Sequence, residues 1–373
     1  MEFIINKETI LDGLTKIQGI TGKKTNILIT CNVLLSAKES MISIRATDLE
    51  MAFKALYEAE VIREGSTAVP SRKVYEIVRA FPSDMIAIKE VENKWIQIAD
   101  KKIEYNIVGM DPTDFPGLPD IAGVELFEIG VNVFKNMINK TIYSVLGDEG
   151  RAQLSGICFE SITTDDLKKI RMVSTDGHRL SKIDYVIEDD KSTFAGLKDR
   201  AILPKNGIIE ILRILEGGKL VQIGFRDDNF VVKKDEEVLI IRLIEGEFPD
   251  YEMVIPKTGP NEMNVQKNNF LMMLKRMAIL SSDKYSGVRF KINKDQLEAT
   301  TTNPEIGEGR EFVSVSYRGK PIEMAFNPRY FIEAMNSMDS EDVIVRFKDE
   351  VNPCTVEGKD DPGFLGVIMP MRV

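Results

Sequence analysis

Histidine is almost absent from this chain of 373 residues, which has a single one, His178. Cysteine is scarce as well, because Cys31, Cys158 and Cys354 lie far apart and form no CxxC pair. One histidine and three scattered thiols argue against a zinc site, and an odd number of cysteines argues against a disulfide framework. We therefore expect buried free thiols, no metal site and no cofactor.

Long apolar runs are also missing, so the sequence predicts no transmembrane helix and no membrane partner. The first residues, MEFIIN, lack the basic start and apolar core of a signal peptide, and we expect a cytoplasmic protein. The formal net charge is −10 and the isoelectric point is about 5.0. Taken over the whole chain, this charge argues against a nucleic-acid binder, whose footprint is usually basic.

Motifs for nucleotide binding or catalysis are absent too. The stretch from Gly19 to Thr25 resembles a phosphate-binding loop but fails the GxxxxGK[ST] spacing. A hydrolase built on Thr175, Asp176 and His178 is an alternative to consider. It is disfavoured because no GxSxG motif accompanies the histidine and because neighbours in a strand point to opposite faces. We expect no catalytic residues.

What the sequence does contain is an internal repeat. A short strand followed by an amphipathic helix occurs three times, with apolar residues at the spacing of one helix face. The three predicted helices span 7–17, 133–146 and 266–280. A second unit, an apolar strand followed by a proline and a helix, also occurs three times. Its prolines are Pro70, Pro204 and Pro328, so the period is about 125 to 135 residues.

Each repeat also holds six to eight strand-like segments joined by hairpin-length connections, which exclude parallel crossovers. The predicted fold class is therefore α+β, with three repeated domains that each contain two helices and antiparallel sheets. Loop-like stretches rich in Gly and Pro mark the boundaries. The predicted domains are 1–124, 125–257 and 258–373.

Positive charge collects on the six predicted helices, which carry 13 Lys and Arg residues against 6 Asp and Glu residues. The rest of the chain is correspondingly acidic. Such sorting suits helices that face phosphate and sheets that face water. Solvated helix faces are the simpler alternative.

Short motifs in several parts of the chain resemble one known family. They are TDLEM at 47–51, VPSRK at 69–73, DFP at 114–116, TDGHRL at 175–180, FPDY at 248–251, TNPE at 302–305 and VIMPMRV at 367–373. In this order they resemble the bacterial DNA polymerase III beta subunits, the sliding clamps. The match covers essentially the whole chain, and the threefold repeat supports it independently.

The resemblance implies a non-catalytic DNA-clamp fold, in which two chains of three domains form a ring as a head-to-tail homodimer. It implies that the ring encircles double-stranded DNA, slides without base-specific contacts and makes the replicative polymerase processive. The implied partners are the DNA polymerase III catalytic subunit, the clamp loader, and other polymerases and repair factors with short clamp-binding peptides. A peptide-binding adaptor without DNA encirclement is the alternative.

The resemblance further implies a partner-peptide groove in two parts. The first part comprises Leu154, Thr175, Gly177, His178, Arg179, Leu180, Pro249 and Val254. The second part comprises Val351, Pro353, Val367, Met369, Pro370, Met371 and Arg372. Met and Leu suit an adaptable apolar groove, and we expect His178 and Arg179 to form its polar rim.

Two more surfaces follow from the resemblance. The implied dimer interface comprises Lys73, Ile77, Tyr105, Ile107, Ile279 and Leu280. The implied DNA contacts are Lys24, Arg151 and Lys205. Three positions depart from the family pattern: Ala152 and Gln153 replace an aromatic pair, which weakens the expectation of ring stacking on DNA there, and Met253 replaces a basic rim residue.

The Thr-Asp step at Thr175 recurs, in our alignment of the repeats, as Thr47-Asp48 and as Thr302-Asn303. Neither of these copies has a histidine. We therefore predict a structural turn shared by all three domains, to which the second domain adds one wall of the peptide groove.

Overall fold

A computed structural model describes residues 1–22, 27–147, 150–164, 166–187, 197–257, 259–280 and 287–371. Within these ranges the chain forms seven α-helices and 25 strands. Every pairing between these strands is antiparallel. The predicted α+β class with antiparallel sheets is confirmed.

All six predicted helices are present, and one additional single turn, α2, follows the first. The helices are α1 (Lys7–Lys16), α2 (Gln18–Thr21), α3 (Ser71–Ala80), α4 (Val131–Asn139), α5 (Lys205–Ile214), α6 (Lys267–Met277) and α7 (Pro328–Ser337). Helix α4 ends well before residue 146, where we predicted its end. The hydroxyl of Thr141 donates to the carbonyl of Met137 at 2.8 Å, and such a bond competes with the helical backbone bonds.

The helix starts follow from local sequence. An amide side chain caps α1, where Asn6 Oδ1 accepts from Glu8 N at 2.9 Å. Proline marks the start of the second helix in every repeat: Pro70 and Pro204 end the strand before it, and Pro328 is its first residue. Proline is tolerated there because the first helical N–H groups have no partner in the helix.

The chain divides into two compact units. The first contains the described residues of Met1–Asn132, Ser192–Lys198 and Asn206–Leu243. Its five-stranded sheet consists, in spatial order, of β5 (Glu60–Arg63), β1 (Glu2–Asn6), β7 (Met85–Glu90), β8 (Trp95–Ala99) and β9 (Glu104–Val108). Its eight-stranded sheet consists of β10 (Phe127–Gly130), β15 (Leu220–Arg226), β16 (Asn229–Lys234), β17 (Glu237–Arg242), β4 (Met51–Glu58), β3 (Met41–Thr47), β2 (Asn32–Lys38) and β6 (Gly65–Pro70).

The second unit contains the described residues of Val133–Lys191, Asp199–Lys205 and Ile244–Val373. Its eight-stranded sheet consists of β14 (Arg200–Pro204), β11 (Gly156–Thr164), β12 (Leu167–Thr175), β13 (Arg179–Val186), β25 (Phe364–Ile368), β24 (Cys354–Gly358), β23 (Asp342–Phe347) and β18 (Asn261–Gln266). Its four-stranded sheet consists of β21 (Gly307–Ser314), β20 (Gln296–Asn303), β19 (Val288–Asn293) and β22 (Ile322–Phe326).

Each eight-stranded sheet continues from one sequence repeat into another. Strand β17 of the second repeat pairs with β4 of the first, and β13 of the second repeat pairs with β25 of the third. The first repeat has nine strands rather than the six to eight predicted, because the segment after β4 forms the separate strand β5.

The core lies between helices and sheets. Of the apolar positions that form one face of the predicted helices at 7–17, 133–146 and 266–280, Leu11 and Ile142 are half-buried. The others are buried: Ile10, Leu14, Ile17, Phe134, Met137, Ile138, Phe270, Met273, Leu274 and Met277. Along β4 the burial alternates: Phe53 and Ala55 face the core, whereas Lys54 is exposed on the other face.

The three cysteines are free thiols. Cys158 and Cys354 are buried as expected, but Cys31 is only half-buried. Burial raises the pKa of the Cys158 thiol to about 12. In the described parts of the chain, no helix is long and apolar enough to cross a membrane, and no cluster of three potential metal ligands occurs.

Candidate functional site

The turn between β12 and β13 holds the single histidine and is shaped by hydrogen bonds to the backbone. Thr175 Oγ1 donates to the carbonyl of Arg179 at 2.6 Å and accepts from Gly177 N at 3.1 Å. Asp176 Oδ1 accepts from the backbone N–H groups of His178 and Arg179 at 2.9 and 3.0 Å. Gly177 has φ of +89°, a conformation that favours glycine. Both polar side chains therefore hold the turn.

The turn between β3 and β4 repeats this pattern. Thr47 Oγ1 donates to Met51 O at 2.7 Å, and Asp48 Oδ1 accepts from Glu50 N and Met51 N at 3.0 and 2.7 Å. The predicted structural turn is confirmed for the first two domains.

In the third domain Asn303 takes the place of the aspartate, as our alignment predicts. Its Oδ1 accepts from Glu305 N at 3.0 Å, two residues on, as Asp48 Oδ1 and Asp176 Oδ1 accept from the residue two positions on. This turn is one residue longer than its counterpart, since Thr302 pairs with Glu308 whereas Thr175 pairs with Leu180.

A cavity of about 210 Å³ opens beside the histidine turn. Its lining is Arg151, Leu154, Thr175, Gly177, Arg179, Leu180, Pro249, Asp250, Tyr251, Val254, Val367 and Met369. Leu180 on β13 and Val367 on β25 are register partners and form its floor. Behind them lies a buried cluster that includes Cys158 and Phe248, so the floor is backed by packed core. We call this cavity the second-junction groove.

Nine of the fifteen predicted groove residues line this cavity: Leu154, Thr175, Gly177, Arg179, Leu180, Pro249, Val254, Val367 and Met369. Five do not, namely His178, Val351, Pro353, Pro370 and Met371. Arg372 lies outside the described residues, as does Lys24, one of the predicted DNA contacts. The predicted groove is thus wider than the cavity.

The C-terminal tail leaves the cavity after Met369. Its backbone is fixed at two points, because Met369 N donates to His178 O at 2.9 Å and Met371 N donates to Ala325 O at 2.7 Å. The His178 ring is exposed and stacks on Tyr330, with centroids 6.5 Å apart and an interplanar angle of 13°. These contacts align the tail alongside the histidine turn.

Arg179 lines the cavity and is bound to three neighbouring groups of the protein. Its Nε lies 3.0 Å from Asp176 Oδ2, its Nη1 lies 2.6 Å from Glu333 Oε2, and its Nη2 donates to Tyr143 O at 2.7 Å. The guanidinium also lies 4.7 Å from the centroid of the Tyr330 ring. With only 10% of its side chain exposed, Arg179 fixes the turn to α7, and His178 is the exposed polar group.

One wall of the groove rests on a polar network that the sequence did not reveal. Tyr251 donates to Glu160 Oε2 at 2.5 Å and accepts from Arg171 Nη1 at 3.3 Å. Arg171 forms a two-pronged pair with Asp184, at 2.6 and 2.8 Å, and Arg200 pairs with Glu160 at 2.5 Å. Burial, together with the bond to Glu160, raises the pKa of Tyr251, so its hydroxyl stays protonated. The network holds the Tyr251 ring in place.

The other two predicted DNA contacts are described. Arg151 lines the groove and lies beside Gly177. Its Nη1 is about 4.0 Å from the position that a Cβ atom at residue 177 would occupy. Lys205 is the first residue of α5 and is half-buried, and its N–H donates to Ser155 O at 3.1 Å. Arg151 therefore belongs geometrically to the groove.

Much of the positive charge on the helices already has a protein partner. Eight of the thirteen cations make ion pairs or donate to carbonyl groups: Lys7, Lys16, Arg72, Lys73, Lys140, Arg213, Lys267 and Arg276. In the described ranges the other five form no ion pair: Arg79, Lys135, Lys205, Lys275 and Arg329. The charge bias of the helices is thus partly structural, and few of these cations are free for phosphate.

Four of the six predicted interface residues lie on or beside open sheet edges, whereas Lys73 and Ile77 lie on α3. Tyr105 and Ile107 are on β9, the edge strand of the five-stranded sheet, and Tyr105 is 45% exposed. Ile279 follows α6, is 74% exposed, and belongs to a short helical turn that packs on β21, the edge strand of the four-stranded sheet. Exposed apolar side chains beside an unpaired edge are typical of an association surface.

Antiparallel sheets that run from repeat to repeat, with two helices in each repeat, define the DNA-clamp class of fold. Three family models for the DNA polymerase III beta subunit together match most of the chain: the N-terminal domain at residues 1–119, the central domain at 128–250 and the C-terminal domain at 252–372.

Curated and solved relatives agree with this class. The chain is 31% identical to the beta sliding clamp of Proteus mirabilis over 376 residues, covering 100% of both chains. It matches the crystal structure of a DNA polymerase sliding clamp from Pseudomonas aeruginosa with a TM-score of 0.91 at 28% identity, covering 100% of both chains. A sliding clamp from Bartonella birtlesii, described as bound to griselimycin, matches with a TM-score of 0.94 at 26% identity and the same coverage.

The chain therefore belongs to the DNA polymerase III beta subunit family. Members of this family are sliding clamps, which are non-catalytic processivity factors. Membership confirms the predicted function class and the prediction of a protein that is not an enzyme.

Proposed function

We propose that two copies of this chain associate head to tail into a ring that encircles double-stranded DNA and tethers the replicative polymerase. The observation that carries the ring is the pair of open edges, β9 and β21, which both have exposed apolar side chains beside them. The interface would comprise Lys73, Ile77, Tyr105, Ile107, Ile279 and Leu280. Joining two different edges is a heterologous contact, which closes only if the rotation between copies returns to the start.

The modest free charge of the helices supports sliding rather than tight binding. Five unpaired cations on the helices suffice to attract the phosphate backbone, and contacts to phosphate carry no sequence information. We include Lys205 among the residues that face DNA, and we keep Lys24 and Arg151 as proposed contacts.

We propose that the second-junction groove receives short peptides of partner proteins, with the C-terminal tail extending the contact surface. Its apolar floor is preformed and its Tyr251 wall is held by hydrogen bonds, so little ordering is needed on binding. The Bartonella birtlesii relative is described as bound to griselimycin, which supports a ligand site on this fold.

The proposed partners are the DNA polymerase III catalytic subunit, the clamp loader, and other polymerases and repair factors that carry clamp-binding peptides. We place the protein in the cytoplasm. We also propose domain boundaries near residues 124 and 257.

The test of encirclement compares two DNA topologies. After loading by a clamp loader, the protein should stay on nicked circular DNA and run off once the circle is cut, because nothing but topology retains it. Retention on the linear product at moderate salt would reject the ring mechanism and favour an adaptor that binds peptides only. Sedimentation measures the oligomeric state of the protein as a control. A stable monomer at micromolar concentration would also contradict the ring.

A further inference from the structure

The face of the first eight-stranded sheet that points away from the helices carries a row of positive charge. Arg45 on β3 is the register partner of Lys54 on β4, Lys54 is the partner of Val238 on β17, and Val238 is the partner of Lys233 on β16. Register partners project to the same side of a sheet. Three cations therefore occupy one row of four residues.

This row is unfavourable for the free protein. Arg45 lies directly opposite Lys54, and like charges in that position destabilise a strand pair. Arg45 Nε donates to Ser43 Oγ at 3.3 Å. None of the three cations pairs with a carboxylate in the described ranges. Because no carboxylate of the described chain offsets the repulsion between these cations, the row is suited to bind a negatively charged ligand.

The row lies in a trough rather than on a flat surface. A cavity of about 480 Å³ covers it, with Leu56, Val238 and Ile240 among its lining residues and the linker Leu118–Ile121 as a wall. A neighbouring cavity of about 490 Å³ shares Arg45, Lys54 and Leu56 with the first. The two cavities form one elongated trough across β16, β17, β4, β3 and β2, and such a shape fits an extended chain.

Carboxylates stand at the two ends of this trough and not at its centre. The cavity on the β2 side is lined at its end by Glu39 and Glu64, which outnumber the one cation there, Lys38, and the cavity on the linker side is lined by Asp120 and Glu236. A chain of phosphates would be repelled at both ends. A peptide can place carboxylates at the centre only, and its apolar side chains can contact the apolar lining.

We propose that this trough docks an extended acidic segment of a partner protein. Central carboxylates of the segment pair with Arg45, Lys54 and Lys233, and its alternate apolar side chains lie on Leu56, Val238 and Ile240. Charge-assisted hydrogen bonds relieve the repulsion between Arg45 and Lys54. This inference does not depend on the second-junction groove or on DNA encirclement.

The test uses the full-length protein and a fluorescein-labelled synthetic peptide of nine residues, with alternating leucine and glutamate in its centre and one lysine at each end. Fluorescence anisotropy measures its affinity for the unmodified chain and for the double variant Lys54→Gln, Lys233→Gln. Lys291→Gln is the matched control, because Lys291 is an exposed lysine on a strand of the other unit. A variant lacking residues 369–373 tests whether the peptide occupies the second-junction groove instead.

We expect saturable binding that the double variant weakens by roughly tenfold or more, and that a glutamine version of the peptide weakens equally. Lys291→Gln and the tail deletion should leave the affinity within about twofold. The proposal is overturned if no saturable binding occurs, if the double variant binds as well as the unmodified chain, or if the tail deletion removes binding. It is also overturned if a thymidine oligonucleotide binds with the same dependence on Lys54 and Lys233.

Discussion

The junction between the first and second repeats and the junction between the second and third repeats have the same backbone pairing but different side chains. In the second-junction groove, Leu180 pairs with Val367 beside the Thr175 turn. At the first junction, Ala52 pairs with Ile240 beside the equivalent Thr47 turn, under a cavity of about 310 Å³. The strands, the register and the turn hydrogen bonds correspond, so the repeat supplies the same scaffold twice.

The side chains make the two junctions different. The first junction is lined by charged groups, namely Glu50, Asp227, Asp228 and Arg242. Arg242 in the first junction corresponds to Met369 in the second, because each lies two residues beyond the floor residue of its strand, Ile240 or Val367. The floor pair is apolar at both junctions, but only the second of these two cavities adds the apolar side chains of Leu154, Val254 and Met369 to its lining. We infer that the peptide site depends on these few substitutions rather than on the fold.

The segments that follow the last strand of the first and second repeats, which contain Phe115 and Phe248, have the same packing but differ in side-chain polarity. Phe115 packs against the register partners Leu34 and Ala68, as Phe248 packs against Cys158 and Ile202. Three residues further along, the first linker has Leu118 and the second has Tyr251. Only the tyrosine of these two can join a hydrogen-bonded network.

The largest expected effect comes from deleting residues 369–373. Affinity for a clamp-binding peptide should fall by roughly a hundredfold or more, because Met369 and the tail beside His178 are lost. Surface plasmon resonance measures the affinity, and sedimentation should show an unchanged dimer. Arg242→Ala at the equivalent position of the first junction is the control, and it should leave peptide affinity unchanged. Equal affinity of the deleted chain would reject the groove assignment.

Replacing the groove-wall tyrosine should have a smaller effect. Tyr251→Phe removes the hydroxyl between Glu160 and Arg171, and leaving such buried groups short of a partner costs about 1 to 3 kcal/mol of unfolding free energy. We also expect peptide affinity to fall by roughly three- to tenfold, as the ring loses its fixed orientation. Denaturant unfolding and peptide titration measure the two effects. Leu118→Ala should leave peptide affinity unaltered. An equal loss of peptide affinity in Tyr251→Phe and Leu118→Ala would contradict the difference between the two junctions.

Acid should weaken the second unit through Asp361. Burial alone would raise the pKa of this carboxyl, but hydrogen bonds from Asp339 N, Lys140 Nζ and Ser340 N lower it to about 2. The folded pKa thus lies below the unfolded value near 4, so the stabilisation is complete above pH 4 and is lost as the pH falls through 2.

The stabilisation amounts to about 2 kcal/mol from the size of that shift. Unfolding by denaturant between pH 5 and pH 2 measures it, with Asp361→Asn as the variant that should lose much of the pH dependence. An unchanged pH profile in Asp361→Asn would show that other carboxylates control the acid transition.

The smallest effect concerns thiol labelling. Cys158 lies under the second-junction groove with a pKa raised to about 12 by burial, whereas Cys31 is half-buried. Iodoacetamide at pH 8 should therefore modify Cys31 first, since only the thiolate reacts, and mass spectrometry locates the label. Faster labelling of Cys158 would mean that the groove floor opens readily in solution.

The sequence predicted those features that local pattern determines. Apolar spacing located six helices, alternation located the antiparallel strands, and the repeated Thr-Asp step located the turn beside the groove. These signals lie within a few residues of one another, so one chain suffices to read them.

The sequence did not predict features that depend on distant partners. The motif around Arg179 gives no sign of its ion pair with Glu333, which belongs to another repeat. Likewise Lys140 counted as a free helix charge, yet it is buried against Asp361, which is 221 positions away. Long-range ion pairs of this kind follow from the tertiary fold and from no local pattern.

The most direct test of the account is hydrogen exchange on the intact protein with and without a clamp-binding peptide that carries leucine and phenylalanine anchors. We predict slower exchange at 175–180, 249–254 and 367–371, and no change at the equivalent first-junction turn, 47–52. Protection of 47–52, or no protection at the second junction, would contradict the claim that side chains restrict peptide binding to one of two junctions with the same backbone arrangement.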